Sequence, residues 1–365
     1  MKTAHPCTDL DAGDLTRLIP RALHFGISWG ELQEAMDGAS SWEEWGRRLS
    51  ALAEAHEARG DEAHREGREH TAVAAWQAAA ACFHFAQIRS VDEAIKAELQ
   101  NGCRRAYART APLFVPGAER VMVPFGAARL PGYLRVSRPG APCVLMINGL
   151  DSAKEVEVAA FAEGFLARGA SVFSFDGPGQ GELSGELPMT LQFEDAVRAA
   201  REHLEQDPRV KGAPMGIFGV SFGGYLACRA AATEPAIRAC VSLGGFFDGS
   251  VLGRLGPIGS ANLRRAFGLG ISEPLDAVRE ALTLRPLEGL MNRPLLVVHG
   301  REDHLVGLAQ IEAMRAWGGP RTTTWILDGA DHVCQNRFSI CLPAVWDWMI
   351  AELRSAGGSD RGAGS

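Results

Sequence analysis

The sequence predicts an α/β fold, a mostly parallel sheet covered by helices, preceded by an all-helical domain. Three observations predict it. Up to about residue 110, apolar residues recur at helical spacing. From Glu119 onward the pattern changes to short apolar runs ending in Gly, Asn or Asp, with helical stretches between most of them. Continuous apolar strands alternating with helices mean a parallel sheet buried on both faces. Finally, IFGVSFGGYLACRAAA, residues 217–232, sets one serine between glycines where such a run meets an alanine-rich helix.

Residues 1–115 make the helical domain. In SWEEWGRRLSALAEAH, Trp42, Trp45, Leu49, Leu52 and His56 recur at helical spacing behind a Ser-x-x-Glu start. A second helical stretch is expected from Glu62 to Ile88, its alanines permitting close packing, and a third from Val91 to Tyr107. The two prolines and the glycine of TAPLFVPGAER end the helical region. Trp29, Trp42, Trp45, Trp76, Phe83 and Phe85 carry more aromatic surface than three helices can bury among themselves, so this domain is expected to cover the active site.

Residues 116–355 make the α/β domain. ERVMVPF and GYLRV read as paired strands joined through GAARLP. CVLMING, ASVFSFDG, MGIFGVS, RACVSLGG, PLLVVHG and TTWILDG read as the further strands. Residues 250–290 lack a strand and read as a helical insertion over the sheet's end. The small, polar tail 356–365 reads as disordered.

Composition narrows the function. A chain of 365 residues suggests one large domain and a smaller one. A net charge of −7 with no basic block argues against nucleic acid and anionic membranes as partners. No apolar run is long enough to span a bilayer, and MKTAHPCTDLDAGD lacks the apolar core of a signal peptide, so a cytoplasmic protein is expected. The 8 cysteines include no C-x-x-C pair and read as buried reduced thiols, without disulfides or metal. No cofactor is expected. The oligomeric state stays open, a homodimer being one option.

Gly219-Val220-Ser221-Phe222-Gly223 is G-x-S-x-G, a strand turning sharply into a helix with a nucleophilic serine at the apex. On an α/β sheet that motif predicts the chain order serine, acid, histidine. Asp303 in REDHLV and His332 in ADHV each follow the carboxyl end of a strand, the edge where such sheets build their sites. His332 would take the Ser221 proton, and Asp303 would fix the imidazole tautomer. Asp248, Glu302 and Asp331 are rival acids. Asp303 is favoured because it lies two residues past Arg301, leaving the turn from Gly300 room to point it back. Of the rival bases, His299 reads as a packed core histidine, and the side chain of His304 would diverge from its neighbour Asp303.

The oxyanion hole needs two backbone N–H groups, assigned to Phe222 and to Leu150 in MINGLDSAKE. FDGPGQGE, residues 175–182, has neither the Lys-Ser/Thr ending nor the glycine spacing of a phosphate loop. It reads as a rigid loop beside the site, and its Glu182 is a candidate for contact with substrate or for acid work. Asp151 has two readings. It either caps a helix beginning near Ser152, or faces the pocket, where burial would let it be protonated and donate to substrate. Trp76 and His84 are candidates for facing substrate, a core role being the competing reading for each.

Quoted together, NGLDSAKE, FDGPGQGE, GVSFGGYLACRAA and GREDHLV…GADHV resemble the α/β-hydrolases with an N-terminal helical domain. That group contains 2,6-dihydroxypseudooxynicotine hydrolase, the fungal polyketide chain-shortening hydrolases and the fermentation-respiration switch proteins. The resemblance covers nearly the whole chain, including WQAAAACFHFAQI, where relatives carry a similar stretch ending HFAQ. It implies an α/β-hydrolase fold with substrate between the two domains. From the first two groups it implies hydrolysis of a C–C bond next to a carbonyl, in a β-dicarbonyl or aryl ketone of secondary-metabolite or aromatic-compound metabolism. It puts Ser221, Asp303 and His332 on the triad and Asp151 beside the oxyanion loop. Relatives often read KEE after that loop, whereas this chain reads KEVEV, a departure in the pocket wall. An esterase, lactonase, thioesterase or acyltransferase would use the same triad. A regulatory relative would keep the fold without chemistry, and the intact Ser, Asp and His set counts against that.

Overall fold

The computed structural model describes Leu10 and residues 12–270 and 272–359, in two compact units. The first comprises residues up to Glu119 together with Glu155–Glu157; the second holds Arg120–Lys154 and the chain from Val158 onward. Cys7 lies outside the described residues. The other seven cysteines are buried and free.

The first unit is built from α1 (Ala12–His24), α2 (Trp29–Met36), α3 (Trp42–Arg65), α4 (Glu69–Gln87) and α5 (Glu93–Thr110). Serines start two of these helices. Ser28 and Glu31 form a reciprocal capping box on α2, and Ser41 Oγ accepts from Glu44 N at 3.2 Å at the head of α3. The single stretch expected from Glu62 to Ile88 is broken in two. Gly67 adopts φ +73° after the end of α3, a left-handed position that ends a helix, and α4 begins two residues later. Large residues of α4 sit over small ones of its neighbours: Trp76 over Gly60 of α3 and Phe83 over Gly102 of α5. Of the aromatics singled out from the sequence, only Trp29 is largely exposed, at 50%.

The second unit carries an eight-stranded sheet. Its strands are β1 (Glu119–Phe125), β2 (Ala128–Arg135), β3 (Cys143–Ile147), β4 (Ser171–Phe175), β5 (Met215–Val220), β6 (Ile237–Leu243), β7 (Leu295–Gly300) and β8 (Thr322–Leu327). Their order is β1-β2-β4-β3-β5-β6-β7-β8. β2 is antiparallel to β4, and β4 through β8 run parallel. β3, β4, β5 and β7 are buried throughout, whereas the edge strands β1 and β8 are partly exposed. The helices are α6 (Glu157–Leu166), α7 (Glu194–Leu204), α8 (Phe222–Thr233), α9 (Pro257–Ala266), α10 (Asp276–Ala281), α11 (Leu308–Gly318) and α12 (Phe338–Ser359).

Both faces are covered, as one strand shows. Ile217 of β5 joins the cluster of Val197 and Leu226, from α7 and α8. Its neighbour Phe218 points the other way, its ring 5.7 and 5.8 Å from those of Phe161 and Phe165 of α6. Residues 249–287 contain α9, α10 and two short 3₁₀ turns, with one isolated bridge, Asp248 to Thr283. The stretch read as a disordered tail begins inside α12, which runs through Ser359; residues 360–365 lie outside those described. Among the described residues no helix is long and apolar enough to cross a membrane.

Strand order fixes where a site can form. The chain leaves β3 toward β4 and returns on the other side of β3 as β5, so β3 and β5 lie together where the winding reverses. The crevice outside their carboxyl ends is the switch point of an open α/β sheet. The aromatic layer behind it is closely packed. Phe218→Ala, which empties the space between Phe161 and Phe165, is expected to cost about 3–5 kcal/mol. The shift of the urea midpoint measures it, and a loss below about 1 kcal/mol would contradict this packing.

Candidate active site

Ser221 occupies the turn between β5 and α8 with φ 54° and ψ −121°. The turn is possible because its neighbours are glycines. A Cβ on Gly219 would overlap Gly223 O, and one on Gly223 would overlap the carbonyl oxygens of Ile147 and Asn148 at the end of β3. Ser221 N donates to Leu243 O of β6 at 2.8 Å, and Gly224 N donates back to Ser221 O at 2.8 Å.

The structure brings Ser221, His332 and Asp303 together. Ser221 Oγ and His332 Nε2 are 2.8 Å apart, and His332 Nδ1 is 2.8 Å from Asp303 Oδ2. A carboxylate can only accept here, so Nδ1–H donates to Asp303 and Nε2 is left to accept the serine proton. Asp303 is anchored through its other oxygen. Oδ1 accepts from Leu305 N at 2.8 Å and Val306 N at 2.9 Å. Burial alone would raise its pKa, but His332 and the Val306 amide outweigh burial and hold the carboxyl below its usual range.

The rivals take other positions. Asp248 starts a 3₁₀ turn, accepting from Ser250 N and Gln310 Nε2. Glu302 is exposed, and Asp331 precedes the 3₁₀ turn on which His332 lies. His299 is fully buried, 3.7 Å from Asp303 Oδ2, and burial lowers its pKa, which keeps the ring neutral. His304 is exposed, its ring centroid 6.2 Å from that of His332.

The loop after β3 lies against Ser221. A Cβ on Gly149 would be 3.5 Å from Ser221 Cβ and 3.2 Å from Val220 O. Leu150 follows it, and Phe222 is the first residue of α8. Gly149 N donates to Ser152 Oγ at 2.6 Å. α6 begins at Glu157, not near Ser152, so Asp151 has no helix to cap there; this corrects the capping reading. Asp151 is half-buried.

Sequence reading missed a buried ionic cluster beneath this loop. Lys154, fully buried, donates to Asp176 Oδ2 at 2.7 Å and to Glu182 Oε1 at 2.5 Å. Arg120 grips Glu182 with two bonds of 2.7 Å. Glu182 is therefore an ion-paired group of the FDGPGQGE loop. The available signal was charge: Lys154 is a lone cation among Asp151, Glu155 and Glu157, and Asp176 and Glu182 bracket the glycines of FDGPGQGE.

Trp76 and His84 belong to the first unit and pack inside it. Trp76 is 4% exposed, and its Nε1 donates to Asp61 Oδ1 at 3.0 Å. His84 is 1% exposed, its Nε2 3.7 Å from Glu157 Oε2. Glu157, the second glutamate of KEVEV, is also paired with Arg21. Burial raises its pKa, but the charges of Arg21 and His84 bring the net value below the usual range. Both candidates for substrate contact are thus engaged in interior packing.

Residues 39–252, more than half of the chain, match the family described as Esterase FrsA-like. The chain is an α/β-hydrolase of the FrsA-like esterase family. Residues 165–353 of this FrsA-like chain also match the prolyl oligopeptidase family. It is 28% identical over 335 residues to 2,6-dihydropseudooxynicotine hydrolase of Paenarthrobacter nicotinovorans, covering 90% of this chain and 89% of that one. The solved structure of a 2,6-dihydroxy-pseudo-oxynicotine hydrolase superposes with a TM-score of 0.84 at 25% identity, over 93% of this chain and 96% of that one. A fungal α/β hydrolase, ucsC of Acremonium, is 31% identical over 64% of this chain but only 54% of its own length. The 20-hydroxy-prefusarin hydrolase FUS2 of Gibberella moniliformis is 38% identical over 37% of this chain and 31% of its own. These likenesses make the FrsA-like chain a hydrolase.

The cluster makes stability depend on acid. Burial raises the Glu182 pKa, but Arg120 and Lys154 outweigh it and hold the carboxyl at about 2, against an ordinary 4.5. A depressed carboxyl contributes stability that is complete above its unfolded pKa and is lost as pH falls toward the folded value. Melting temperature should therefore fall below pH about 4.5 more steeply in the native chain than in Glu182→Gln. Parallel melting curves down to pH 2.5 would contradict the pairing.

Proposed function

We propose that this hydrolase uses Ser221, His332 and Asp303 as a catalytic triad to hydrolyse a C–C bond next to a carbonyl in a small molecule. The observation that carries the triad is the unbroken chain of two 2.8 Å hydrogen bonds from Ser221 Oγ through the imidazole to Asp303. Support for C–C cleavage comes from the motif resemblance and from the likeness, along nine-tenths of the chain, to a protein named for hydrolysing 2,6-dihydropseudooxynicotine.

In this reading Ser221 Oγ attacks the carbonyl carbon while His332 Nε2 takes its proton. The alkoxide that forms is held by the N–H groups of Phe222 and Leu150. Collapse breaks the C–C bond and leaves an acyl group on Ser221. The bond's electron pair departs on carbon, as an enolate or an activated aryl carbon, and is protonated. Water, deprotonated by His332, then releases the acid. Asp151 beside the oxyanion loop is the candidate for holding a substrate hydroxyl or ketone, or for protonating the leaving carbon. Ester hydrolysis is the second reading, favoured by the match to a family described as an esterase. It needs the same triad and no separate acid for carbon.

Three outcomes are expected. Ser221→Ala should lose labelling by a fluorophosphonate probe and at least about 10⁴-fold in kcat, with an unchanged melting temperature. Asp303→Asn should be severely impaired through the wrong imidazole tautomer, and Asp248→Asn should not. Near-full turnover by Ser221→Ala would falsify the assignment. Asp151→Asn, assayed on an activated ester and on a β-diketone, should lose far more of the second activity than of the first. Equal losses would leave the ester reading in its place.

A further inference from the structure

Lys154 has no place in the triad or the oxyanion hole, yet its ammonium is fully buried among loops that meet Ser221. Burying a charge is costly unless the geometry repays it. Lys154 Nζ bonds Glu182 Oε1 and lies 6.0 Å from the centre of the Tyr133 ring, and its bond to Asp176 leads on to one segment. Lys154 Nζ and Glu182 N both hold Asp176 Oδ2, at 2.7 and 3.0 Å. The other oxygen, Asp176 Oδ1, accepts from Asn148 Nδ2 at 2.6 Å. Asn148 O accepts from Gln180 Nε2, also at 2.6 Å, and Gln180 Oε1 accepts from Gly177 N at 3.2 Å. Asn148 is thus clamped through side chain and backbone together, and it leads directly into Gly149, which abuts Ser221, and Leu150.

We propose that Lys154 is a positioning residue for the oxyanion loop: by locking Asp176 it fixes Asn148, and Asn148 aims the Leu150 N–H at the alkoxide. The proposal rests on the triad reading above. The choice of residue fits. Arginine is this chain's usual cation, its lysines being Lys2, Lys96, Lys154 and Lys211. The compact ammonium of Lys154 reaches two carboxylates at once in a closed space, whereas arginine would bring a larger planar fork. Displacing a catalytic donor by about 1 Å costs roughly 10²-fold in rate, similar to the loss from removing one oxyanion donor.

The test uses the full chain with p-nitrophenyl butyrate as substrate and phenylboronic acid as a tetrahedral analogue. Fluorophosphonate labelling of the native chain at Ser221 comes first; its absence would sink the triad reading and not this inference alone. Given labelling, Lys154→Met should lower kcat about 10²-fold with KM within about 3-fold. Phenylboronic acid should bind more weakly in proportion to the loss in kcat, and the pH inflection of kcat/KM should stay where it is, because the His332–Asp303 pair is untouched. Lys154→Arg should not restore the rate. Native kcat with only a lowered melting temperature would overturn the proposal, as would a rate loss accompanied by a moved inflection. If Lys154→Met does not fold, Asp176→Asn decides by the same readouts. It keeps an oxygen for Asn148 while turning an N–H toward Lys154, so native kcat in that variant would equally overturn the proposal.

Discussion

The active edge depends on one strained turn. Ser221 is held at φ 54° and ψ −121°, a region that costs a residue with a side chain about 1–3 kcal/mol. Such strain persists only where the surroundings over-determine it. Here the backbone of Ser221 is tied to β6, and α8, which follows, is buried along nearly its whole length. Among the described residues the other non-glycine positions of positive φ are Val333 and Cys334, both directly after His332. All three therefore flank one 2.8 Å hydrogen bond, Ser221 Oγ to His332 Nε2. Among the described residues, non-glycine positive φ thus falls in the two loops that aim the reacting side chains, and the regular strands and helices carry the stability that offsets it.

What could be read from sequence followed from how local each signal is. Five of the six apolar runs after β2 form inner strands, where a parallel strand is apolar on both faces, and the sixth, β8, is the partly exposed edge. Ser221, Asp303 and His332 stood out because each closes a strand at the same edge. Less local features were missed. One glycine, Gly67, divides a stretch whose composition is helical on both sides. DSAKEV looks like a helix start, but Ser152 Oγ is spent on Gly149 N and the helix waits until Glu157. Trp76 and His84 looked available for substrate because sequence cannot show that Asp61 and Glu157 lie beside them. The Lys154 cluster joins residues 120, 154, 176 and 182, and only the fold brings these together.

The charges of that cluster also explain how a rigid ionic scaffold can lie near a site that must stabilise a developing anion. Asp176 is paired with Lys154, and Glu182 with both Lys154 and Arg120. Opposite charges in direct contact spend much of their field on one another, so the pairs can fix the loop while each carboxylate acts less strongly at the alkoxide than it would alone. A lone buried carboxylate there would oppose the reaction, and a lone ammonium would draw in competing anions. On the other side of Ser221 the arrangement is different in kind. Asp303 is a net negative charge whose second oxygen is held by two backbone amides, and it faces the imidazole that becomes positive as the serine proton leaves. The site thus separates two tasks. The Asp303 side supplies charge that changes partners during the proposed reaction, and the Lys154 side supplies geometry at nearly constant charge. Neither task depends on which bond to the carbonyl carbon is broken. Selectivity between carbon and oxygen leaving groups must therefore come from residues that touch the departing atom, and in this chain the candidate beside the oxyanion loop is Asp151.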